Sequence, residues 1–243
     1  MRLSADSSGK IEFRLLTKDR IKDALSLQTK TMRDECIAIG VGMEEDEGAS
    51  EEILLIFREV IKDGATIIGV DIDTDQVVAV AFNKIQGSQK NAEDNLDVVM
   101  QNLKHQPCLE LVKFIGEIES SVDLFDKYKV NGALEIFYIG TDRGYQGRGI
   151  GYEIVKASVE LAQGLLSGKL KKNPVSEDFW NEEVIPELIF GVFASNYSQR
   201  ITERLGFEVL QEFRYDDHFC RGKKMSARIG ETHKTAKLAA LKL

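Results

Sequence analysis

Three glycines within six residues make one segment of this sequence well suited to binding a phosphate group. The segment, Gln146-Gly147-Arg148-Gly149-Ile150-Gly151, follows an apolar stretch and precedes an amphipathic helix. Glycines let the backbone adopt unusual torsion angles and approach a ligand closely. The unpaired amides at a helix start attract anions, and the helix dipole adds to this effect. We therefore predict a phosphate cradle here, with Arg148 as an additional positive charge.

The spacing of the glycines narrows the type of phosphate ligand. A P-loop needs a Lys followed by Ser or Thr after its last glycine, and neither stands there. The dinucleotide fingerprint G-x-G-x-x-G also fails, because Tyr152 stands where its third glycine belongs. The pattern Gln-x-x-Gly-x-Gly instead resembles the pyrophosphate loop of the GNAT superfamily of acetyl-CoA-dependent N-acetyltransferases. This resemblance implies that acetyl-CoA is a co-substrate.

A second segment, downstream of the glycines, resembles the same superfamily. Ala194-Ser195-Asn196-Tyr197-Ser198 ends an apolar, strand-like stretch, and Leu205-Gly206-Phe207 leads from the next helix into a strand. In element order the resemblance covers Ile11 to Ile229. It implies an α/β fold, a single GNAT-like domain over residues 1–230, in which a central mixed sheet is splayed between two parallel strands and flanked by helices.

A narrower resemblance lies near the N-terminus. Arg33-Asp34-Glu35 resembles the acidic motif of insect arylalkylamine N-acetyltransferases and their polyamine-acetylating relatives, in which the Glu is the proposed general base. Cys36 departs from the family pattern, because a proline usually stands at that position. The segment Phe213 to Phe219 also looks like this family.

The reaction implied by the resemblance is direct transfer of an acetyl group from acetyl-CoA to a primary amine. Such amines are protonated at pH 7, so a base must remove a proton before the nitrogen can attack. Glu35 is the predicted base, and Asp34 is the alternative. As in the superfamily, a backbone amide within Tyr138 to Gly140 is expected to stabilise the thioester oxyanion.

The leaving thiolate of CoA needs a proton donor. Many superfamily members use a tyrosine, but Thr202 occupies that position in this sequence. Ser195 and Ser198 are therefore predicted to protonate the thiolate or to hold the acyl arm, as serines do in the related insect enzymes. The alternative for Ser195 is a purely structural role as the N-cap of a helix. Tyr197, one residue from the loop, could pack instead.

The predicted site residues fall into two sets. The predicted cofactor contacts are Tyr138, Ile139, Gly140, Gln146, Gly147, Arg148, Gly149, Ile150, Gly151, Ser195 and Ser198. The predicted substrate contacts are Asp34, Glu35, Phe137, Tyr215 and His218.

The acceptor stays open between two classes of small amine. Phe137, Tyr138, Phe193 and Tyr215 would line a slot for arylalkylamines such as dopamine, tyramine or serotonin. Asp34, Glu35, Asp216 and Asp217 would suit polyamines or agmatine. Two further functions stay open, a protein N-acetyltransferase and a non-catalytic acyl-CoA-binding sensor.

Hydrophobic periodicity predicts the elements that position these residues. The predicted strands are Ile11–Leu16, Thr66–Asp71, Val77–Ile85, Leu134–Thr141, Leu188–Ala194, Phe207–Tyr215 and Cys220–Ile229. The predicted helices are a first helix through Met32 after an N-cap at Thr17, one capped by Ser50 and closed by Gly64, a long stretch from Asn91 to Tyr128 that is interrupted at Pro107, Gly149–Leu166, and a short one ending at Leu205. We expect an insertion at Lys169–Trp180 and a polar C-terminal tail, residues 231–243, that frays.

Composition limits the remaining possibilities. The 243 residues carry a net charge of -8 without a basic stripe, which argues against nucleic-acid binding. No apolar run reaches the length needed to cross a bilayer. Met1 to Lys10 lacks the apolar core of a signal peptide. Cys36, Cys108 and Cys220 lie far apart and have no metal-ligand spacing. We expect a cytoplasmic monomer with free thiols and no bound metal.

Overall fold

The computed structural model describes residues 2–88, 95–176 and 183–243, which form a single mixed α/β domain. Its strands are β1 (Arg2–Ala5), β2 (Ile11–Leu15), β3 (Ile67–Asp71), β4 (Gln76–Gly87), β5 (Gly132–Thr141), β6 (Leu188–Phe193), β7 (Glu208–Arg214), β8 (Phe219–Cys220), β9 (Lys223–Lys224) and β10 (Thr235–Lys242). Within these residues, eight strands form one sheet in the spatial order β1-β2-β3-β4-β5-β6-β10-β7, and β8 pairs with β9. Neighbours in the large sheet are antiparallel except for the parallel pair β5 and β6.

Helices cover both faces of this sheet. They are α1 (Ile21–Met32), α2 (Cys36–Val41), α3 (Ala49–Glu52), α4 (Leu54–Val60), α5 (Asn95–Gln101), α6 (Gln106–Glu119), α7 (Leu124–Tyr128), α8 (Ile150–Leu166), α9 (Asn196–Leu205) and α10 (Met225–Ile229). Successive residues of β4 alternate between two buried clusters, because side chains of a strand point to opposite faces. Val80 and Phe82 join the cluster that contains α1, α2, α4 and α6, whereas Ala79 and Ala81 join the one that contains α8.

Most of the predicted elements are present. The β3–β4 hairpin, β5, α8, β6, α9 and β7 lie where periodicity predicts them. Thr17 holds the N-cap position of a single 3-10 turn, Lys18–Arg20, but its side chain makes no capping hydrogen bond. The helix expected after Ser50 is divided into α3 and α4, and Gly48, not Ser50, is its N-cap.

The predicted helical stretch from Asn91 to Tyr128 and the predicted insertion at Lys169–Trp180 lie partly outside the described residues. The long helical stretch predicted from Asn91 to Tyr128 contains α5, α6 and α7, and its residues 91–94 are not among those described. Pro107 lies in the first turn of α6, where its missing amide costs no hydrogen bond, so it begins a helix instead of interrupting one. Of the predicted insertion, residues 177–180 lie outside the described part of the chain.

The C-terminal region requires two corrections. The segment predicted as a strand from Cys220 to Ile229 forms only the two-residue strands β8 and β9, followed by α10. The tail after Glu231 was expected to fray, and this is wrong, because β10 lies inside the sheet between β6 and β7. Leu238, Ala239 and Ala240 are buried there. Alanine has a low strand propensity, so burial between two strands, not propensity, makes this segment a strand.

Candidate functional site

A cleft opens where the two parallel strands of the sheet separate. β5 and β6 pair only through Ala133–Leu188, Leu134–Ile189 and Glu135–Phe190. Beyond that point each strand keeps its outer partner, β4 for β5 and β10 for β6, so the inner edges diverge. A bulge in β5 coincides with the divergence, because the register with β4 shifts between Ile136 and Tyr138 and leaves Phe137 unpaired. The resulting cleft has a volume of about 1700 Å³.

The glycine segment forms one wall of this cleft. Gly147 and Gly149 have φ angles of 76° and 79°, a region that side chains disfavour. Gly149 is the N-cap of α8, so the first amides of that helix have no partner within it. Gln146, Gly147, Gly149, Ile150 and Gly151 all line the cleft. A helix start bare of side chains and facing a cavity can hold an anion such as a pyrophosphate.

Arg148 has a different position from its neighbours in the glycine segment. It is not among the residues that line the cleft. Its guanidinium lies 4.8 Å from the centre of the Tyr145 ring, and its Nη2 donates a hydrogen bond of 2.8 Å to the carbonyl of Gly144. In this arrangement Arg148 stabilises the turn before α8.

At the end of β5, the backbone of the strand contributes to the cleft wall. Tyr138, Ile139 and Gly140 all line the cleft. The Tyr138 hydroxyl is bonded at 2.9 Å to Thr31 Oγ1 of α1. A Cβ on Gly140 would lie 2.4 Å from that same Thr31 oxygen, so only glycine fits here. The bulged backbone between β5 and β6 therefore has amides and carbonyls available to an extended ligand.

Glu35 lies on the opposite wall, at the start of α2. Its carboxylate caps that helix by accepting hydrogen bonds from the amides of Ile37 at 2.9 Å and Ala38 at 2.7 Å. Burial raises the pKa of Glu35 above its usual value, and the amide hydrogen bonds oppose this rise only in part. A carboxylate with a raised pKa at the wall of a cleft is suited to accept a proton near neutral pH.

Asp34 also lines the cleft, but its carboxylate has a partner. It accepts two hydrogen bonds from Arg143, at 2.6 Å from Nη2 and 3.1 Å from Nε. The pair joins the end of α1 to the turn after β5, and both side chains are solvent-accessible. Arg143 occupies both oxygens of Asp34, whereas Glu35 combines a place in the cleft with a pKa raised by burial, so Glu35 is the better candidate for the base.

Ser195 and Ser198 lie at the start of α9, and both line the cleft. They form a capping box, in which Ser195 Oγ accepts the amide of Ser198 at 3.1 Å and Ser198 Oγ accepts the amide of Ser195 at 3.2 Å. The two hydroxyl oxygens are 3.1 Å apart. The structural capping role is therefore present, and the same geometry joins the two hydroxyls in a short hydrogen-bonded chain. Thr202 is buried and donates to the carbonyl of Gln199.

The structure does not bring Tyr215 and His218 to the cleft. Tyr215 is fully buried, and its hydroxyl donates a 2.6 Å hydrogen bond to the carbonyl of Ala194. The His218 ring packs edge-on against Phe114, with 4.8 Å between ring centres. Neither residue is among those that line the cleft. The predicted substrate contacts that do line it are Asp34, Glu35 and Phe137.

Sequence reasoning missed several lining residues. Arg200 and Arg204 lie four apart on α9, and the guanidinium of Arg204 stacks at 4.2 Å over the ring of Tyr152. His233 also lines the cleft, and its Nδ1 accepts the amide of Asn196 at 3.1 Å. The i, i+4 spacing of the two arginines was a usable signal. Two cations beside the glycine segment suit a ligand with several phosphates.

Within residues 2–88, 95–176 and 183–243, no cluster of three or more His, Cys, Asp or Glu side chains is placed to hold a metal. No helix in the same residues is long and apolar enough to span a bilayer.

No family model and no curated protein sequence matches the chain, but solved structures match it in fold. A protein described as arylalkylamine N-acetyltransferase 7 from the yellow fever mosquito aligns with a TM-score of 0.75 at 18% identity, covering 100% of this chain and 94% of that one. Arylalkylamine N-acetyltransferase 2 from Aedes aegypti aligns with a TM-score of 0.73 at 18% identity, covering 96% and 98%. A Drosophila melanogaster polyamine N-acetyltransferase aligns with a TM-score of 0.63 at 17% identity, covering 96% and 100%.

These alignments extend over almost the whole chain, and they include the sheet, the cleft and the elements around it. Together with the opening between β5 and β6, they show that this chain has the GNAT fold, which the resemblance of its glycine segment implied.

Proposed function

We propose that the protein is an acetyl-CoA-dependent N-acetyltransferase of small primary amines. The observation that carries the proposal is the shape of the cleft, which has an anion-binding helix start on one wall and the Glu35 carboxylate on the other. The fold neighbours support it, since their names include arylalkylamine and polyamine N-acetyltransferases. The glycine segment and the two arginines of α9 would hold the phosphates of acetyl-CoA, and the open edges of β5 and β6 its pantetheine arm.

The proposed reaction begins with proton removal. The ammonium group of the acceptor gives a proton to Glu35, and the free amine then attacks the carbonyl carbon of the thioester. A backbone amide at the end of β5, within Tyr138 to Gly140, stabilises the oxyanion that forms on the carbonyl oxygen. When the tetrahedral intermediate collapses, the carbon–sulfur bond breaks, the nitrogen loses its second proton to solvent, and an acetamide is released.

The CoA thiolate then takes up a proton from Ser195 or Ser198. Because these hydroxyls are 3.1 Å apart, either one can be re-protonated through the other. The aromatic side chains of Phe57, Phe137 and Tyr138 pack edge-to-face in the cleft, with ring centres 5.3 to 5.7 Å from Phe57. They would contact the apolar stem of the amine, which supports the arylalkylamine acceptor as well as an aliphatic one.

A thiol-release assay with purified protein and acetyl-CoA tests the proposal. The acceptor panel contains tyramine, dopamine and serotonin, then agmatine and polyamines, and finally a lysine-rich peptide. Thiol release with small amines supports the proposal. Release only with the peptide would favour a protein N-acetyltransferase, and CoA binding without any release would favour a sensor. The three buried, unpaired cysteines fit the proposed cytoplasmic location.

A further inference from the structure

A second group of ionisable side chains faces the same cleft near the beginning of β5, on the far side of the bulge from the glycine segment. We name this group, Asp63, Lys84, Glu119 and Glu135, the distal carboxylate cluster. Lys84 and Glu135 are directly opposite residues of β4 and β5. Lys84, Glu119 and Glu135 line the cleft. None of these residues has a role in the proposed acetyl transfer.

The ionisable groups of this cluster form two pairs, Lys84 with Asp63 and Glu119 with Glu135. Lys84 Nζ lies 3.3 Å from Asp63 Oδ2, and that carboxylate also accepts the amide of Ile85 at 2.8 Å. Glu119 and Glu135 are left adjacent to each other with the amide of Gln86 as a neutral donor, 2.6 Å from Glu135 Oε2. Burial and their mutual repulsion raise the pKa of Glu119 most strongly. Glu119 and Glu135 are therefore neighbouring buried carboxyl groups, and a shared proton relieves their repulsion. A ligand cation could take the place of that proton.

The orientation of Glu119 indicates where that cation would bind. Its Oε1 is buried and has no hydrogen-bond partner among the described residues, although Glu119 lines the cleft. Glu119 is also the last residue of α6, a 14-residue helix, and the C-terminal end of a helix dipole favours positive charge. Unsatisfied buried carboxyl oxygens are costly, so a cationic ligand group here would gain a charge-assisted hydrogen bond.

The distance between the two carboxylate sites limits the ligand. Burial and the nearby Glu35 carboxylate raise the pKa of the Tyr138 hydroxyl, which places Glu35 near this end of β5. Glu135 precedes Tyr138 by three strand residues, which corresponds to about 10 Å along β5. Phe57, Phe137 and Ile115 line the same cleft. An extended apolar chain fits this interval better than a compact amine does.

We propose that the acceptor is a dication, an amine whose reacting nitrogen lies at Glu35 and whose second cationic group is held by Glu119 and Glu135. This inference rests on the proposed acetyl transfer for the reacting end, and it assigns a diamine or guanidino-amine class to the other end. The cation replaces the proton shared by the two carboxyl groups, and that proton leaves to solvent. The aromatic wall holds the methylene chain between the two sites.

The test compares matched pairs of acceptors. The diamines are putrescine, hexamethylenediamine and octamethylenediamine, and each is paired with the n-alkylamine of equal length. The measured quantity is the ratio of kcat/KM for the diamine to kcat/KM for its monoamine. We expect this ratio to exceed one, to depend on chain length, and to fall about 10- to 100-fold in Glu119→Gln, the range for a hydrogen bond to a charged group.

Glu117→Gln is the matched control, because Glu117 is an exposed residue of the same helix outside the cleft. It should leave the ratio unchanged, and thermal melting checks that both variants fold. An unchanged ratio in Glu119→Gln, or equal losses for both amines of a pair, overturns the inference. Calorimetry of hexamethylenediamine with the CoA-bound protein separates the two proposals. If hexamethylenediamine binds in a Glu119-dependent way but no amine is acetylated, the cation site is supported and the proposed transferase activity is refuted. If monoamines are acetylated but the diamine does not bind, the transferase activity is supported and the cation site is refuted.

Discussion

Replacing Glu35 by Gln tests the proposed base, because the change keeps the shape of the side chain and removes its proton acceptor. In the wild type, the Glu35 carboxylate accepts hydrogen bonds from the amides of both Ile37 and Ala38. A Gln side chain offers one oxygen and one NH₂ donor, so one of these amides loses its acceptor. The expected cost is about 1 kcal/mol of folding free energy. Loss of general base catalysis lowers kcat by about 100- to 10,000-fold, so the rate effect far exceeds the stability effect.

The pH dependence of this variant has a predicted sign. Because burial raises the pKa of Glu35, the acidic limb of kcat/KM for the wild type should lie above the ordinary range for glutamate, and Glu35→Gln should flatten it. The folded state binds this proton more tightly than the unfolded state. Ionisation of Glu35 therefore reduces wild-type stability as pH rises from the ordinary glutamate pKa through the raised one. Gln cannot ionise at this position, so the stability of Glu35→Gln should not show this fall over that interval.

A capping carboxylate elsewhere in the chain provides the control. Asp123 caps α7 by accepting the amide of Asp126 at 2.9 Å, and it does not line the large cleft. Asp123→Asn keeps a capping oxygen and should leave the rate of thiol release unchanged. Wild-type kcat/KM in Glu35→Gln, with an unshifted acidic limb, would refute the assignment of the base. A higher KM at unchanged kcat would instead make Glu35 an anchor for the amine.

Three further predictions concern the cofactor wall, the serines and a buried tyrosine. Gly149→Val forces a β-branched side chain into a φ of 79° at the start of α8, so calorimetric affinity for CoA should be lost while the fold survives; unchanged affinity would contradict the phosphate cradle. Ser195→Ala and Ser198→Ala should each lower kcat, and less than additively in the pair because the hydroxyls form one hydrogen-bonded chain; full activity of the double variant would point to water as the proton donor. Tyr215→Phe removes the buried hydrogen bond to Ala194 and should cost about 1 kcal/mol of folding free energy while the rate of acetyl transfer is retained. A selective rise in the KM for the amine would show instead that Tyr215 contacts the substrate.

The local elements around the cleft could be predicted from the sequence because their signals are local. The apolar run of β5, the glycines at the start of α8 and the Ser-Asn loop before α9 each follow from torsional preference or periodicity over a few residues. Gly149 at the N-cap of α8 and Gly206 at the C-cap of α9 both adopt the positive φ that their positions require. The fold class followed from the order of these elements.

Long-range pairing and placement could not be predicted in the same way. Thr235–Lys242 has the composition of a helix or a tail, and it is a strand only because β6 and β7 leave a gap between them. Tyr215 and His218 follow a strand in a family-like segment, yet their side chains pack among buried aromatic residues instead of facing the cleft. No local sequence pattern predicts whether side chains such as these pack in the core or face the cleft.

Sequence by itself determined the glycine turn at the start of α8, because a glycine turn before a helix leaves the first helical amides free wherever it occurs. It also determined the candidate base, since Glu35 belongs to a short contiguous motif. Only the tertiary structure decided which carboxylates share the cleft. Glu119 and Glu135 are 16 residues apart and on different kinds of element, and the packing of α6 against the sheet brings them together. Burial of these two carboxyl groups and the repulsion between them raise the pKa of Glu119. Both effects exist only in the folded chain.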